Sequence, residues 1–135
     1  MKNCLFCKIA KKEIPANIVY EDEEVVAFLD LSQITDGHTL IVPKTHSRNL
    51  LETNQDTVNS LMHAVNKVSE ILGSRLNAKG FNIISNINEA AGQSVFHTHV
   101  HVIPRYNKEE FDYKYNSREI TQKHLSLLMD KITRS

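Results

Sequence analysis

The run His97-Thr98-His99-Val100-His101 places an imidazole at every second residue. Side chains two apart in an extended strand share a side, so the spacing predicts His97, His99 and His101 on one face and Thr98, Val100 and Val102 on the other. Neutral imidazole attacks electrophiles and binds metals, and its protonated form donates to phosphate oxygens, all near neutral pH. Such a row can attack, coordinate or stabilise. A single histidine is ordinarily a hydrogen-bonded polar side chain, whereas three at strict period two mark a site.

Cys4 and Cys7 form a second constellation, C-x-x-C, and they are the only 2 cysteines. Two are too few for a disulfide framework and suit a metal or a redox pair. A redox pair belongs at a thioredoxin-like strand–helix junction, a pattern absent around them; two inert thiols on a short amphipathic turn are the other alternative.

The elements that must position these residues follow from periodicity. Leu5, Phe6 and Ile9 before Pro15 predict a short helix or turn over 4–12 carrying both cysteines. Ile18–Glu21, Val25–Leu29 and Thr39–Val42 read as three strands of an antiparallel meander. Val58, Leu61, Met62, Val65, Val68 and Leu72 keep steps of three and four, predicting one long helix over Asn54–Leu76. Phe81–Ser85 and Val95–Ile103 read as further strands, the last stopped by Pro104. Leu125, Leu128, Met129 and Ile132 form a helical stripe near the C-terminus, after the aromatic segment Phe111–Asn116.

A chain of 135 residues, with 41% hydrophobic and 24% charged residues, is expected to fold as a single domain spanning 1–135. Lys plus Arg and Asp plus Glu both number 16, so no broad positive field is available and nucleic acid is not the expected partner. No apolar run approaches the roughly 20 residues of a membrane span, and MKNCLFCKIAKKEIP has no long apolar leader core. A cytoplasmic protein without membrane contact is expected.

The segment HTHVHVI at 97–103 resembles the signature of the histidine triad (HIT) family, three histidines interleaved with apolar residues, with Thr98 the one departure. CLFCKIAKKEIPA, EDEEVVAFLDLSQ, GHTLIVPKTH and GQSVFHTHVHVIPR are similar to the Hint-like branch in matching order, from about residue 4 to 105. The resemblance implies an α+β, HIT-like fold: a five-stranded antiparallel sheet with one long helix packed on it, plus short N-terminal and C-terminal helices. It also implies a homodimer sharing a continuous sheet.

The activity implied is hydrolysis at the α-phosphorus of a purine nucleotide through a covalent nucleotidyl-histidine. Substrates would be nucleoside phosphoramidates, adenylylated amines or dinucleoside polyphosphates. On this chain His99 becomes the nucleophile, its tautomer fixed by an acceptor expected to be the His97 carbonyl. His101 becomes a charge-assisted donor to non-bridging oxygens, and Gln93 and Ser94 meet the bridging or leaving-group atom. Asn86 contacts phosphate or nucleoside, Asp30 accepts from ribose hydroxyls, and His38 orients a triad histidine. Leu5, Phe6, Ile9, Phe28, Leu29 and Leu31 would sandwich the base. Phe111, Tyr113 and Tyr115 would reach toward a partner's site; the chain has no Trp, which some Hint relatives place near the leaving group.

Resemblance to zinc-binding bacterial members, and to galactose-1-phosphate uridylyltransferases, groups Cys4, Cys7, His46 and His97 as a closed tetrahedral set for structural zinc. Two other functions compete: a metal-hydroxide hydrolase using the histidine strand as ligands, and a non-catalytic nucleotide-binding protein.

Overall fold

The computed structural model describes residues 3–110 and 117–134. Five strands, β1 Ile18–Glu21, β2 Val25–Leu29, β3 Thr39–Pro43, β4 Gly80–Ile84 and β5 Val100–Arg105, form one sheet in the order β1-β2-β3-β5-β4 with every pairing antiparallel. The helices are α1 Leu5–Ala10, α2 Gln55–Leu76 and α3 Gln122–Thr133. The α+β expectation, with its meander and one long helix, matches this arrangement.

Alternation along the central strands divides the core between the two sheet faces. Val25, Ala27, Ile41, Val100 and Val102 point to one face, where Leu61, Ala64, Val68 and Leu72 of α2 cover them. Val26, Phe28, Leu40 and Val42 point to the other, beneath Phe6 and Ile9 of α1. The α2 stripe is narrower than the sequence pattern, for Met62 lies outside it at 41% exposure. Asn54 starts the helix one residue outside its ladder, its side chain accepting from the Thr57 N–H at 2.9 Å, and Asn77 ends it at φ 60°. α3 forms as its stripe predicts, yet none of its residues is buried.

The last strand differs from the expected Val95–Ile103. β5 pairs with β3 only from Ile41↔Val100 to Thr39↔Val102, so His97 and His99 precede the ladder. Pro43 is the reason. It offers no N–H to extend the pairing, and its carbonyl is taken by the His97 ring at 2.9 Å. The 97–99 segment instead holds on through Thr98 N–H to the Ser47 carbonyl at 2.8 Å and Ser85 Oγ to the His99 carbonyl at 2.8 Å. Pro104, expected to stop the strand, lies inside it opposite Phe81, its carbonyl accepting from Thr35 Oγ1 at 2.6 Å. Thr35 precedes β3, so Pro104 faces a sheet position where no backbone donor is needed.

Candidate functional site

Alternation survives the missing ladder. Val100 is buried in the core beneath α2, and on the opposite side Phe6 of α1 meets the His97 and His99 rings edge-on, with centroids 5.9 and 5.2 Å away. Each ring then finds different neighbours.

His97 is fully buried. Its Nε2 faces the Pro43 carbonyl, which can only accept, so the hydrogen resides there and Nδ1 carries a bare lone pair. That Nδ1 lies 3.2 Å from Cys4 Sγ, 3.5 Å from Cys7 Sγ and 3.1 Å from His46 Nδ1, while Cys7 Sγ is 3.4 Å from His46 Nδ1. The ligand atoms of these four residues all lie within 4.8 Å of one another. Tetrahedral coordination by two sulfurs and two nitrogens separates donors by about 3.3 to 3.8 Å, so the cluster fits a metal ion in both donor type and spacing. Burial first, then the neighbouring His46 and His99, hold His97 down to about 4, and burial likewise lowers His46; both rings are neutral, as ligation requires. Burial raises the Cys7 thiol, with Cys4 adding to the effect. Local sequence builds half of this cluster: Cys4 caps α1, accepting from Cys7 N–H at 3.4 Å, and the first helical turn brings both sulfurs to one end.

His99 donates from Nδ1 to the carbonyl of His97 at 2.8 Å, the acceptor expected from sequence. Nε2 thereby holds the lone pair. No buried side-chain N or O among the described residues lacks a partner, and Nε2 has none, so it remains accessible to the cavity that His99 lines.

His101 sits 3.0 Å by Nδ1 from His38 Nε2. Asp30 Oδ2 is 3.6 Å from the same His38 nitrogen, and the Ile34 N–H reaches His38 Nδ1 at 3.3 Å; both place the His38 hydrogen on Nε2, toward His101. His101 then bears its own hydrogen on Nε2. The Ser32 carbonyl, 3.2 Å from His38 Nδ1, supports the opposite tautomer pair, in which both rings carry their hydrogen on Nδ1 and His101 donates to His38. Burial, then His99 and His38, lower His101 to about 4, which favours the neutral ring near neutral pH.

These residues border a cavity of about 510 Å³. Its lining combines the apolar Phe6, Ile9, Phe28 and Leu29 with Asp30, Asn86, Ser94, His99 and His101, and Phe6 meets the His99 ring edge-on. Leu5 and Leu31 also line it, Leu31 from the rim at 95% exposure. Sequence reading missed the wall from Ile14 to Asn17; Pro15, read as a helix stop, was the available signal. His38 is buried behind the cavity, as a positioning residue would be.

Gln93 is packed into the loop before the triad. It is buried, and its Nε2 donates to the carbonyls of Arg48 at 2.7 Å and Val95 at 3.1 Å while its Oε1 accepts from Asn88 N–H at 2.8 Å. The amide is committed to bracing the loop before the triad and does not face the cavity. Ser94, next to it, is exposed there with its hydroxyl unengaged among the described residues. Phe111, Tyr113 and Tyr115 lie outside the described residues.

The fold and site define a single-sheet α+β protein with a histidine-lined cavity beside a Cys2His2 cluster. Residues 11–108 match the HIT domain model, and the chain belongs to the HIT family. It is 50% identical over 107 residues to Protein hit of Bacillus subtilis, covering 79% of this chain and 74% of that one. It is 37% identical over 107 residues to Adenylylsulfatase HINT3 of Arabidopsis thaliana, covering 79% of this chain and 54% of the relative. Among solved structures, a Streptococcus mutans UA159 protein superposes with TM-score 0.92 at 47% identity, over 98% of this chain and 84% of that chain. A Zn-bound histidine triad family protein of Mycobacterium smegmatis superposes with TM-score 0.79 at 34% identity, over 96% and 92%.

Proposed function

We propose that this protein is a nucleotidyl hydrolase that cleaves at the α-phosphorus of purine nucleotides through a covalent intermediate on His99. The observation that carries the reading is the His99 Nδ1 contact to the His97 carbonyl, which leaves a nucleophilic Nε2 at a cavity lined by both apolar and polar side chains. The α-phosphorus–Nε2 bond forms as the bond to the leaving group breaks, the electron pair going to the leaving atom. Water then attacks the same phosphorus, breaking the P–N bond, losing a proton, and returning the histidine with a nucleoside monophosphate. Two displacements replace one harder one.

His101 donates from Nε2 to a non-bridging oxygen as a neutral ring, positioned by His38 and through it by Asp30. Ser94 supplies a hydroxyl where the leaving atom departs, and Asn86 meets phosphate or ribose. Asp30 accepts from the ribose, with Phe6, Ile9, Phe28, Leu29 and Leu31 around the base. Candidate substrates are nucleoside phosphoramidates, adenylylated amines and dinucleoside polyphosphates. Cys4, Cys7, His46 and His97 would hold zinc with four protein ligands, which would tie α1 to the segment before β5 and give the metal a structural rather than a water-activating role. We extend the reading to a cytoplasmic homodimer, supported by two free thiols and by the open outer edge of β4, where Ile83 is 42% exposed.

Acid-free quenching during turnover and intact mass spectrometry test the reading. A nucleotidyl adduct on the wild-type chain, absent from His99→Ala, is expected. Binding without an adduct or turnover in metal-loaded protein favours a non-catalytic nucleotide binder. Activity lost on chelation, with the fold retained, favours metal-hydroxide chemistry.

A further inference from the structure

Thr98 is the one residue of HTHVHVI that departs from the apolar spacing of the histidine triad signature, and it is buried with its hydroxyl against two others. Thr98 Oγ1 lies 2.7 Å from Ser47 Oγ and 3.0 Å from Thr53 Oγ1, and those two are 2.8 Å apart. The Asn49 carbonyl, 2.7 Å from Thr53 Oγ1, can only accept, so Thr53 donates to it. The order Ser47 to Thr98 to Thr53 to Asn49 then uses each hydroxyl hydrogen once, with the Thr98 hydroxyl shared toward the Ser47 carbonyl at 3.1 Å. Asn49 and Thr53 flank the short 3-10 turn Leu50–Glu52, where Asn49 Oδ1 accepts from the Leu51 N–H at 3.0 Å, so the chain of hydroxyls ends on a hydrogen-bonded anchor.

These contacts converge on one peptide group. The amide between His97 and Thr98 offers its carbonyl to His99 Nδ1 at 2.8 Å and its N–H to the Ser47 carbonyl at 2.8 Å. Rotating that plane moves both atoms together, so whatever fixes Ser47 also fixes the acceptor from which the His99 ring hangs. The β3–β5 ladder begins only at Val100, so no strand pairing holds this plane. Ser85 Oγ grips the His99 carbonyl at 2.8 Å, which sets where the residue lies and leaves the direction of its ring to the Nδ1 contact.

We infer that Thr98 is a positioning residue for His99, acting through Ser47 and anchored by Thr53: the hydroxyl chain takes the place of the missing ladder, holds the His97–Thr98 peptide plane, and through it aims Nε2. This role rests on the nucleotidyl-transfer reading. Displacement at phosphorus needs the attacking nitrogen in line with the departing bond, so a ring held less firmly loses rate. None of Ser47, Thr53 and Thr98 lines the reaction cavity, so substrate affinity is not expected to follow.

Thr98→Val keeps the branched shape, deletes the hydroxyl and leaves Ser47 and Thr53 to bond each other; Thr98→Ser keeps the hydroxyl. Two quantities are measured on proteins matched in metal content: the single-turnover rate of His99 nucleotidylation by an adenosine 5′-phosphoramidate, and hydrogen exchange of the His99 Nδ1–H proton by NMR without substrate. Thr98→Val should slow nucleotidylation about fivefold with substrate affinity unchanged, and speed Nδ1–H exchange by a similar factor, the scale of one neutral hydrogen bond. Thr98→Ser should recover both. Thr53→Val, which cuts the chain at its anchored end, should move both in the same direction as Thr98→Val and carries the test if that variant does not fold. Unchanged Nδ1–H exchange, a loss that Thr98→Ser does not recover, or weaker substrate binding at an unchanged rate overturns the assignment while leaving nucleotidyl transfer intact. If wild type forms no His99 adduct, nucleotidyl transfer itself fails and the positioning role with it.

Discussion

His99 hangs its ring on the carbonyl of His97 at 2.8 Å, while the His97 ring turns away to the Pro43 carbonyl and presents Nδ1 to the two thiols. One residue therefore orients the proposed nucleophile with its backbone and the proposed metal with its side chain. Disturbing the cluster should reach the reaction cavity through a single peptide group.

Metal removal provides the first check. Cys7→Ser, or chelation, should remove one equivalent of zinc and lower Tm by roughly 10 °C or more, reflecting several kcal/mol of ligand-coupled folding energy. Elemental analysis with a thermal melt measures both; a protein that binds no zinc when purified from zinc-supplemented cells would refute the ligand set.

Gln93→Ala should act on stability more than on chemistry. It removes a buried amide that makes three contacts under 3.2 Å and leaves the Arg48 and Val95 carbonyls without their donor. A loss of about 2–3 kcal/mol is expected in urea unfolding. Unchanged stability with abolished turnover would return Gln93 to a direct catalytic role.

Asp30→Asn keeps an oxygen for the Ser32 N–H, which Asp30 Oδ1 accepts at 2.8 Å, but loses one ribose acceptor. KM for a ribonucleotide substrate should rise about tenfold, the size of one charge-assisted hydrogen bond. The 2′,3′-dideoxy analogue should show little change. Equal effects on both sugars would count against ribose recognition.

Acid should destabilise the fold through His101. Its value falls from 6.5 in the unfolded chain to about 4 in the folded one, so the unfolded state binds the extra proton first. The contribution is complete above pH 6.5, shrinks as pH drops through the window, and is gone below about 4, amounting to on the order of 3 kcal/mol. Urea midpoints of wild type and His101→Gln at pH 7 and pH 5 should converge at the lower pH. Parallel curves would contradict the assignment.

Much of this was legible in local patterns. Period two in HTHVHVI put three rings on one side and Val100 and Val102 in the core; steps of three and four located α2; C-x-x-C placed two thiols on one helical turn. Those features depend on neighbours a few residues apart, and the chain's local geometry enforces them. The family resemblance then supplied distinct roles that spacing alone left open.

Tertiary contacts decided the rest. His46 and His97 are 51 residues apart, and only the pairing of β3 with β5 brings their Nδ1 atoms to 3.1 Å. Pro43 ended the ladder earlier than alternation predicted because a missing N–H matters only when a partner strand arrives to use it. Burial gives the Gln93 amide three backbone partners and lowers His101, which lines the cavity, to about 4. Sequence determined which groups could do chemistry and which face they share. Solvent exclusion and distant carbonyls, which exist only once the sheet has closed over them, decided their protonation and their direction.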